Sequence, residues 1–410
     1  MGSVFHLADK ISLPISATAT PRLRTEDQAI EVAKELATQI SQGASARDRE
    51  RLLPHREIEL IAQSGLLGIS VPAEYGGADI SNTSLAEVIA ILSEADGSVG
   101  QVPQSHFAIL ESLRLSGTEE QKKYFFGLAL AGEHFANAQA ETGNSASGRI
   151  ETRLVADGPG YRVSGRKYYS TGALFADQIA IFALDPADRQ VIAIVPRDTE
   201  GLTIVDDWDG FGQKTTASGT VEIDNIYVSP DLVISHFRTL ERHMPVGSLG
   251  QLLHAAIDLG IARAAFNDML GFVRGKSRGN HNLGIDAAAS DTLTIARTGT
   301  IAVKLEAAGA LLERAGRKVD VAQITPSVET AVEASLAVAA AKILTTEAAL
   351  EATNGLFELA GTFATSQEFN LDRHWRNART HTVHDPVRWK HHAIGDYHLN
   401  GTVPRPNGQF

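Results

Sequence analysis

The chain of 410 residues contains no cysteine and only three methionines, Met1, Met244 and Met269. Without cysteine there is no disulfide, no thiolate metal site and no sulfur nucleophile. Long apolar runs are missing too. The richest stretch, "ASLAVAAAKILTTEAALEA" (334–352), carries Lys342, Glu347 and Glu351, and reads as an Ala-rich buried helix rather than a membrane span. Positive charge is in deficit: 37 Lys and Arg stand against 49 Asp and Glu, for a net charge of −12. That balance argues against a nucleic-acid or anionic-membrane binder, while leaving room for a local basic patch around a phosphate. The opening "MGSVFHLADK" has no basic, apolar and cleavage regions of a secretion signal, and His6 breaks the myristoylation pattern, so a cytoplasmic protein is expected. The scarcity of sulfur has two readings. One is drift; the other is a protein made when sulfur is limiting. Expression unchanged between sulfate-fed and sulfate-starved cells would remove the second.

What is present falls into three textures. Residues 1–134 form an expected helical domain, with capping-box spacing at Thr25/Gln28 and Thr118/Gln121, Pro54 at a helix start, Gly65 at a stop, and an amphipathic run from Leu85 to Ala95. Residues 135–240 turn to short β-branched and aromatic runs, such as "QIAIFAL", "QVIAIVPRD" and "TVEIDNIYV", separated by Gly, Asp and Pro. Five or more strands and no helical run predict a compact antiparallel β-domain. Residues 241–410 return to long Ala/Leu-rich periodic segments, as in a four-helix bundle. The segment "GKSRGNHNLGIDAAASD" (275–291) interrupts them and is a candidate lid. The fold class is therefore α+β, in the order helices, β-domain, helical bundle.

Nucleotide motifs are absent. "GFGQKT" at Gly210 lacks a third glycine and opens no helix, and "GYRVSGRKY" puts Arg166 where a P-loop needs lysine. The chemistry-bearing stretch is "THTVHDP" (380–386). His381 and His384 stand three apart, with Asp385 and Pro386 reading as the cap and first position of a new helix. No third ligand or carboxylate stands at metal-site spacing, so no metal is expected. Histidines that only bond backbone at a helix end are the bland alternative. A junction between two helices holds a side chain rigidly toward a cleft, which suits an acid/base residue.

The order of segments, together with "GTEEQKKYFF", "GRKYYSTGA", "WDGFGQKTTASGTVEIDNIYV", "DLGIARAA" and "HWRNARTH", resembles the acyl-CoA dehydrogenase fold over nearly the whole chain from about residue 25. The resemblance implies a flavin lying between β-domain and bundle in a homotetramer. Tyr169 and Thr171 would take the places of the family's flavin-contacting Trp and Thr, with Ser170 between them. Asn137 would line the other edge of the ring and Trp208 would wall the pocket. Arg278 would grip the flavin phosphate across subunits, beside the loop Gly361 to Ser366. Many members place a catalytic glutamate, in a Glu-Gly step, where this chain has Asp385-Pro386. "ARTHTVHDP", "RDRERLLP" and "TTASGT" instead resemble the flavin-dependent monooxygenase branch, of the dibenzothiophene-monooxygenase and Sfn sulfur-acquisition types. That likeness implies reduced FMN supplied by a separate NAD(P)H:flavin reductase, O2, a flavin C4a-hydroperoxide and a small organosulfur substrate. His384 would be the acid/base residue, supported by His381. His106 would face it from the N-terminal domain, unless it is a structural histidine at a helix start. The alternative is an FAD-dependent acyl-CoA dehydrogenase with a relocated base, Glu347 or Glu358.

Overall fold

A computed structural model describes residues 20–141, 150–241, 246–279, 282 and 284–404. The chain opens with helices α1 (Glu26–Ser41), α2 (Ala44–Glu50), α3 (His55–Gln63), α4 (Asn82–Ala95), α5 (Gly97–Gln101), α6 (Gln104–Ser116) and α7 (Glu119–Leu130). Their starts follow local chemistry. Thr118 and Gln121 form a reciprocal capping box at α7, and the Thr25 side chain accepts from the Gln28 N–H at α1. Pro54 sits just ahead of α3 as its cap, and Gly65 lies past the end of that helix in the left-handed region, with φ 88°. The run expected to be amphipathic, α4, is buried on most of its circumference because α1, α9 and α10 all pack on it.

Eight strands follow: β1 (Phe135–Ala138), β2 (Arg153–Asp157), β3 (Gly160–Lys167), β4 (Gln178–Leu184), β5 (Gln190–Pro196), β6 (Leu202–Val205), β7 (Thr220–Val228) and β8 (Val233–Ile234). They build one sheet in the order β6-β7-β3-β2-β4-β5-β8, with β1 against β4. Most pairs are antiparallel, as the short turns require. The exceptions are β1 on β4 and the single Arg153–Leu184 contact of β2 on β4, which run parallel. β1 arrives from α7 and not from a hairpin, so no tight turn dictates its direction.

After α8 (Phe237–Leu240) come three long helices, α9 (Val246–Gly275), α10 (Thr292–Ile324) and α11 (Val328–Ala360), then the short α12 (Asp372–His381) and α13 (Val387–Asn400). The long three pack on one another, and α4 of the N-terminal segment packs against α9 and α10, so one apolar core joins first and last thirds of the chain. Gly260 makes the α9–α4 crossing possible: a Cβ there would lie 2.4 Å from the Ala90 carbonyl oxygen. The candidate lid includes residues 280, 281 and 283, which lie outside the described residues. Its flanks are joined by a backbone bridge between Arg278 and Ala287.

Candidate active site

On α9, Gln251, His254 and Asp258 recur at three- and four-residue spacing and so share one face. That face meets Lys342 and Thr346 of α11 and the end of α12 at His381. Asp258 and Lys342 are completely buried, with Asp258 Oδ2 accepting from Lys342 Nζ at 2.6 Å and from Thr346 Oγ1 at 2.9 Å. The other oxygen, Oδ1, meets Nδ1 of buried His381 at 2.5 Å. Nε2 of His381 lies 3.0 Å from Nδ1 of His254. The His254 ring lies against that of His384, with centroids 4.3 Å apart and planes tilted by 31°. His384 Nδ1 reaches Asp385 Oδ2 at 3.1 Å, and the Gln251 amide donates to the same oxygen at 2.6 Å.

Burial alone would raise the Asp258 carboxyl, but Lys342 and His381 overcome it and hold the group down to about 2. Asp385 is likewise held far below the carboxylate range: burial opposes ionisation, while His384, His254 and Gln251 favour it. His254 is pushed well below an ordinary imidazole, first by burial and then by His384 and His381. Lys390, buried beneath Asp385, is lowered by burial to about 8. The half-exposed His384 thus stands over a buried array of charges, Asp258 facing Lys342 beneath it.

A second wall comes from the β-domain. Past β3 the chain turns through Tyr169, left-handed at φ 57°, and the Ser170 N–H donates to the Gly219 carbonyl. The turn is held to residues 208–218 by hydroxyls. Thr216 Oγ1 donates to the Gln213 carbonyl, so its 2.7 Å contact with Ser218 Oγ must be donated by Ser218. The 2.7 Å contact of Ser218 with Thr171 must then be donated by Thr171. Thr171 is left with lone pairs only, an acceptor. The same segment is pinned to α12: Gln213 N–H donates to Asn377 Oδ1 at 2.7 Å, and a Cβ on Gly212 would lie 2.0 Å from the Arg376 carbonyl oxygen.

The expected residues separate into groups. Thr171, Ser170, Tyr169 and Trp208 come together; the Trp208 indole N–H donates to Gln213 O, and its ring stands edge-on to Tyr169 at 6.1 Å. Asn137 on β1 is near them, since Tyr168 N–H donates to Ala140 O just beyond that strand. His384 is half exposed at the α12–α13 junction. His381 and His384 share no hydrogen bond: their rings are 6.5 Å apart, and His381 Nε2 meets Nδ1 of His254 instead. Asp385 is no helix cap; Pro386 occupies that position, and the aspartate is drawn inward by Gln251 and His384.

His106 is corrected. It is fully buried, Nε2 bonds Leu67 O at 2.7 Å and Nδ1 accepts from Phe135 N–H at 3.2 Å. Both nitrogens serve backbone, and burial pushes the ring down to about 3, so it is a neutral bolt between α6 and β1 rather than a proton donor. Of the alternative bases, Glu358 is committed to Arg297 of α10 at 2.9 Å, and Glu347 is half exposed opposite His391.

Arg278, Gly361 and Ser366 lie elsewhere. Ser277 Oγ donates to Ala360 O, which puts Arg278 beside the Gly361–Ser366 turn, beyond the C-terminal end of α9. From His254 to that end is about 30 Å at 1.5 Å per helical residue. One chain cannot bring both groups to a single mononucleotide.

Sequence reasoning missed Gln251, His254, Asp258, Lys342, Thr346, Thr216 and Ser218. Two had a signal: an Asp and a Lys inside apolar runs of helix demand a buried partner. Among the described residues no group of three or more His, Asp and Glu is arranged to hold a metal, and no helix is long and apolar enough to cross a membrane.

Comparison with known proteins covers the same ground. Acyl-CoA dehydrogenase models match in order: the N-terminal domain at residues 25–133, the middle domain at 136–226 and the C-terminal domain at 252–389. The dibenzothiophene monooxygenase of Mycolicibacterium goodii is 31% identical over 405 residues, 95% of this chain and 98% of that one. A probable FMNH2-dependent monooxygenase SfnC of Pseudomonas putida is 31% identical over 394 residues, 92% and 96% of the two chains. The crystal structure of TdsC from Paenibacillus sp. A11-2 with FMN and indole superposes with a TM-score of 0.88 at 30% identity, over 93% of this chain and 99% of that one.

Proposed function

The chain belongs to the acyl-CoA dehydrogenase family, and from that premise we propose that it is a reduced-FMN-dependent monooxygenase of a small organosulfur compound. One observation carries the choice against dehydrogenation: the carboxylate at the junction, Asp385, is tied by Gln251 and His384, and the cleft presents imidazoles instead of a free base. Relatives of this chain act on dibenzothiophene or depend on FMNH2, which supports the same reading.

The residues present fit a flavin. Asn137 Oδ1, Ser170 Oγ, both amide atoms of Gln213, Thr380 Oγ1 and Gln251 Oε1 are buried without a hydrogen bond among the described residues. They come from β1, the 168–172 turn, the 208–218 segment, α12 and α9, elements that the hydrogen bonds above bring beside one another. A flat heterocycle rich in donors and acceptors would satisfy such a ring of orphaned groups. FMN in its reduced form supplies two electrons and activates O2, so that one oxygen atom goes to sulfur and the other to water.

The protein's own residues then have defined tasks. Thr171, an acceptor only, suits the N–H of a reduced ring edge. Asn137, Ser170 and Gln213 orient the ring, while Trp208 and Tyr169 wall it from water. His384 donates Nδ1–H to Asp385 and keeps Nε2 toward the cleft, where it takes and returns one proton. Arg278 and the Gly361–Ser366 turn would hold the phosphate of a flavin seated in a neighbouring copy, which calls for at least two copies; the homotetramer is what the family resemblance implies. A separate NAD(P)H:flavin reductase in the cytoplasm provides the reduced cofactor, FMN rather than FAD.

The test is rapid mixing of the anaerobic protein–reduced FMN complex with oxygenated buffer. An absorbance transient ahead of oxidised flavin, followed by oxygenation of an organosulfur substrate, is the expected result. His384→Ala diverts the electrons to hydrogen peroxide. Bleaching of bound flavin by an acyl-CoA, with no transient, would sink the reading in favour of a dehydrogenase.

A further inference from the structure

We infer that the buried Lys342–Asp258–His381 chain is a tautomer lock: it fixes the hydrogen of His254 on Nδ1, and so leaves the half-exposed His384, which lies against that ring and beside Asp385, as the imidazole of the pair that meets the reaction. The consequence for catalysis rests on the monooxygenase reading above; the lock itself does not.

The direction of the chain follows from counting donors. Asp258 has two oxygens, both without solvent. Lys342 and Thr346 donate to Oδ2, and among the described residues only His381 Nδ1 faces Oδ1. His381 must therefore carry a hydrogen on Nδ1. Lys342 already neutralises the one carboxylate within reach, so a second buried cation on His381 has nothing to balance it. Neutral His381 with Nδ1–H has a bare Nε2, and the 3.0 Å contact from His254 Nδ1 to that atom is a hydrogen bond only if His254 is the donor. Every hydrogen in the chain is placed by this logic, starting from the lysine.

The lock matters because the two rings lie against each other. With centroids 4.3 Å apart, a charge on His254 would oppose a charge on His384. His254 is enclosed, faced by His381 from α12, Lys342 from α11, and His384 and Asp385 from the α12–α13 junction. His384 is half exposed and has Asp385 on Nδ1, with Gln251 behind that carboxylate and Lys390 of α13 beneath it. The counter-charge sits with His384 and the enclosure with His254. Asp258, His381 and His254 are thus positioning residues, acting through His384. Sequence alone shows only His381 and His384; the lysine that sets the direction is 42 positions away from His384, as their numbers show.

The experiment uses the full chain without flavin. Deuterium exchange at the imidazole C2 position, followed by mass spectrometry across pH, reads the titration of each histidine separately. His381→Gln copies a neutral imidazole: its amide N–H serves Asp258 and its oxygen accepts from His254. His381→Leu does neither. We expect the titration of His254 to be unchanged in His381→Gln, and to move by about one pH unit in His381→Leu. With reduced FMN and O2, only the Leu variant should release more peroxide, about tenfold. Lys342→Gln keeps a donor to Asp258 without the charge, and should raise the titration of His381, since the carboxylate then needs a new cation. An unmoved His254 titration in His381→Leu would overturn the lock. So would a Gln variant that behaves like the Leu variant, because the proton would then travel through residue 381. None of these readings depends on which compound is oxidised, so the lock and the proposed reaction fail separately.

Discussion

Ser218→Ala should erase the preference of the site for reduced flavin. In the wild type, the single hydrogen of each hydroxyl is spoken for: Thr216 to Gln213 O, Ser218 to Thr216, Thr171 to Ser218. Thr171 can accept from a reduced-ring N–H but cannot donate to the bare nitrogen that replaces it on oxidation. Removing the Ser218 hydroxyl frees the Thr171 hydrogen. Binding of the oxidised form then gains one hydrogen bond, worth about 1 kcal/mol net. Binding of the reduced form keeps its acceptor and loses only some order in the hydroxyl rotor. The ratio of the two dissociation constants should fall by roughly a factor of five. For a two-electron couple that is a drop of about 20 mV in the midpoint potential of bound FMN. Anaerobic titration of the protein with each form, checked by spectroelectrochemistry, measures it. An unchanged ratio, or a variant that binds reduced flavin more selectively, would refute the hydroxyl counting.

Three further outcomes follow from burial and charge. His106, His134 and His236 are held neutral by burial, down to about 3, 4 and 4, while the unfolded chain protonates each near 6.5. The unfolded state therefore binds more protons below pH 6.5, and the three together remove about 4 kcal/mol of stability per pH unit between 6.5 and 4, a loss that urea midpoints across that range would show or refute. Lys342→Met leaves a fully buried carboxylate without its cation and should cost about 3–5 kcal/mol, whereas Asp258→Asn combined with Lys342→Met should cost less than the single change; thermal denaturation that ranks them the other way would contradict the pairing. Arg278→Ala should weaken FMN binding about tenfold or more and leave riboflavin, which lacks the phosphate, unaffected; equal weakening of both would remove the arginine from the phosphate site.

Much of the architecture was legible because it rests on local rules. Capping boxes, β-branched runs between turns, and long Ala-rich periodic segments each report their own few residues. The mixed pairing around β4 was not, because which strand lies beside another is set by packing at a distance. The site divides in the same way. "THTVHDP" drew attention to its histidines because they share one contiguous stretch, whereas Thr171 was picked out only by the family resemblance. His106 looked equal to them, since nothing in "PQSHFA" says that Leu67 and Phe135 will occupy both of its nitrogens.

By itself, then, the sequence determined the order of helices, sheet and helices, the exclusion of thiol chemistry, and the presence of an imidazole at the α12–α13 junction. Tertiary structure decided which charges that imidazole stands on. Asp258 and Lys342 are separated by 84 positions and meet only because α9 and α11 pack side by side, with Gly260 letting α9 close on α4. A charge in an apolar helix costs too much to leave unpaired, so the sequence demands a partner for each. Only the packing of the helices says that the partner of one is the other, and that a histidine completes the pair.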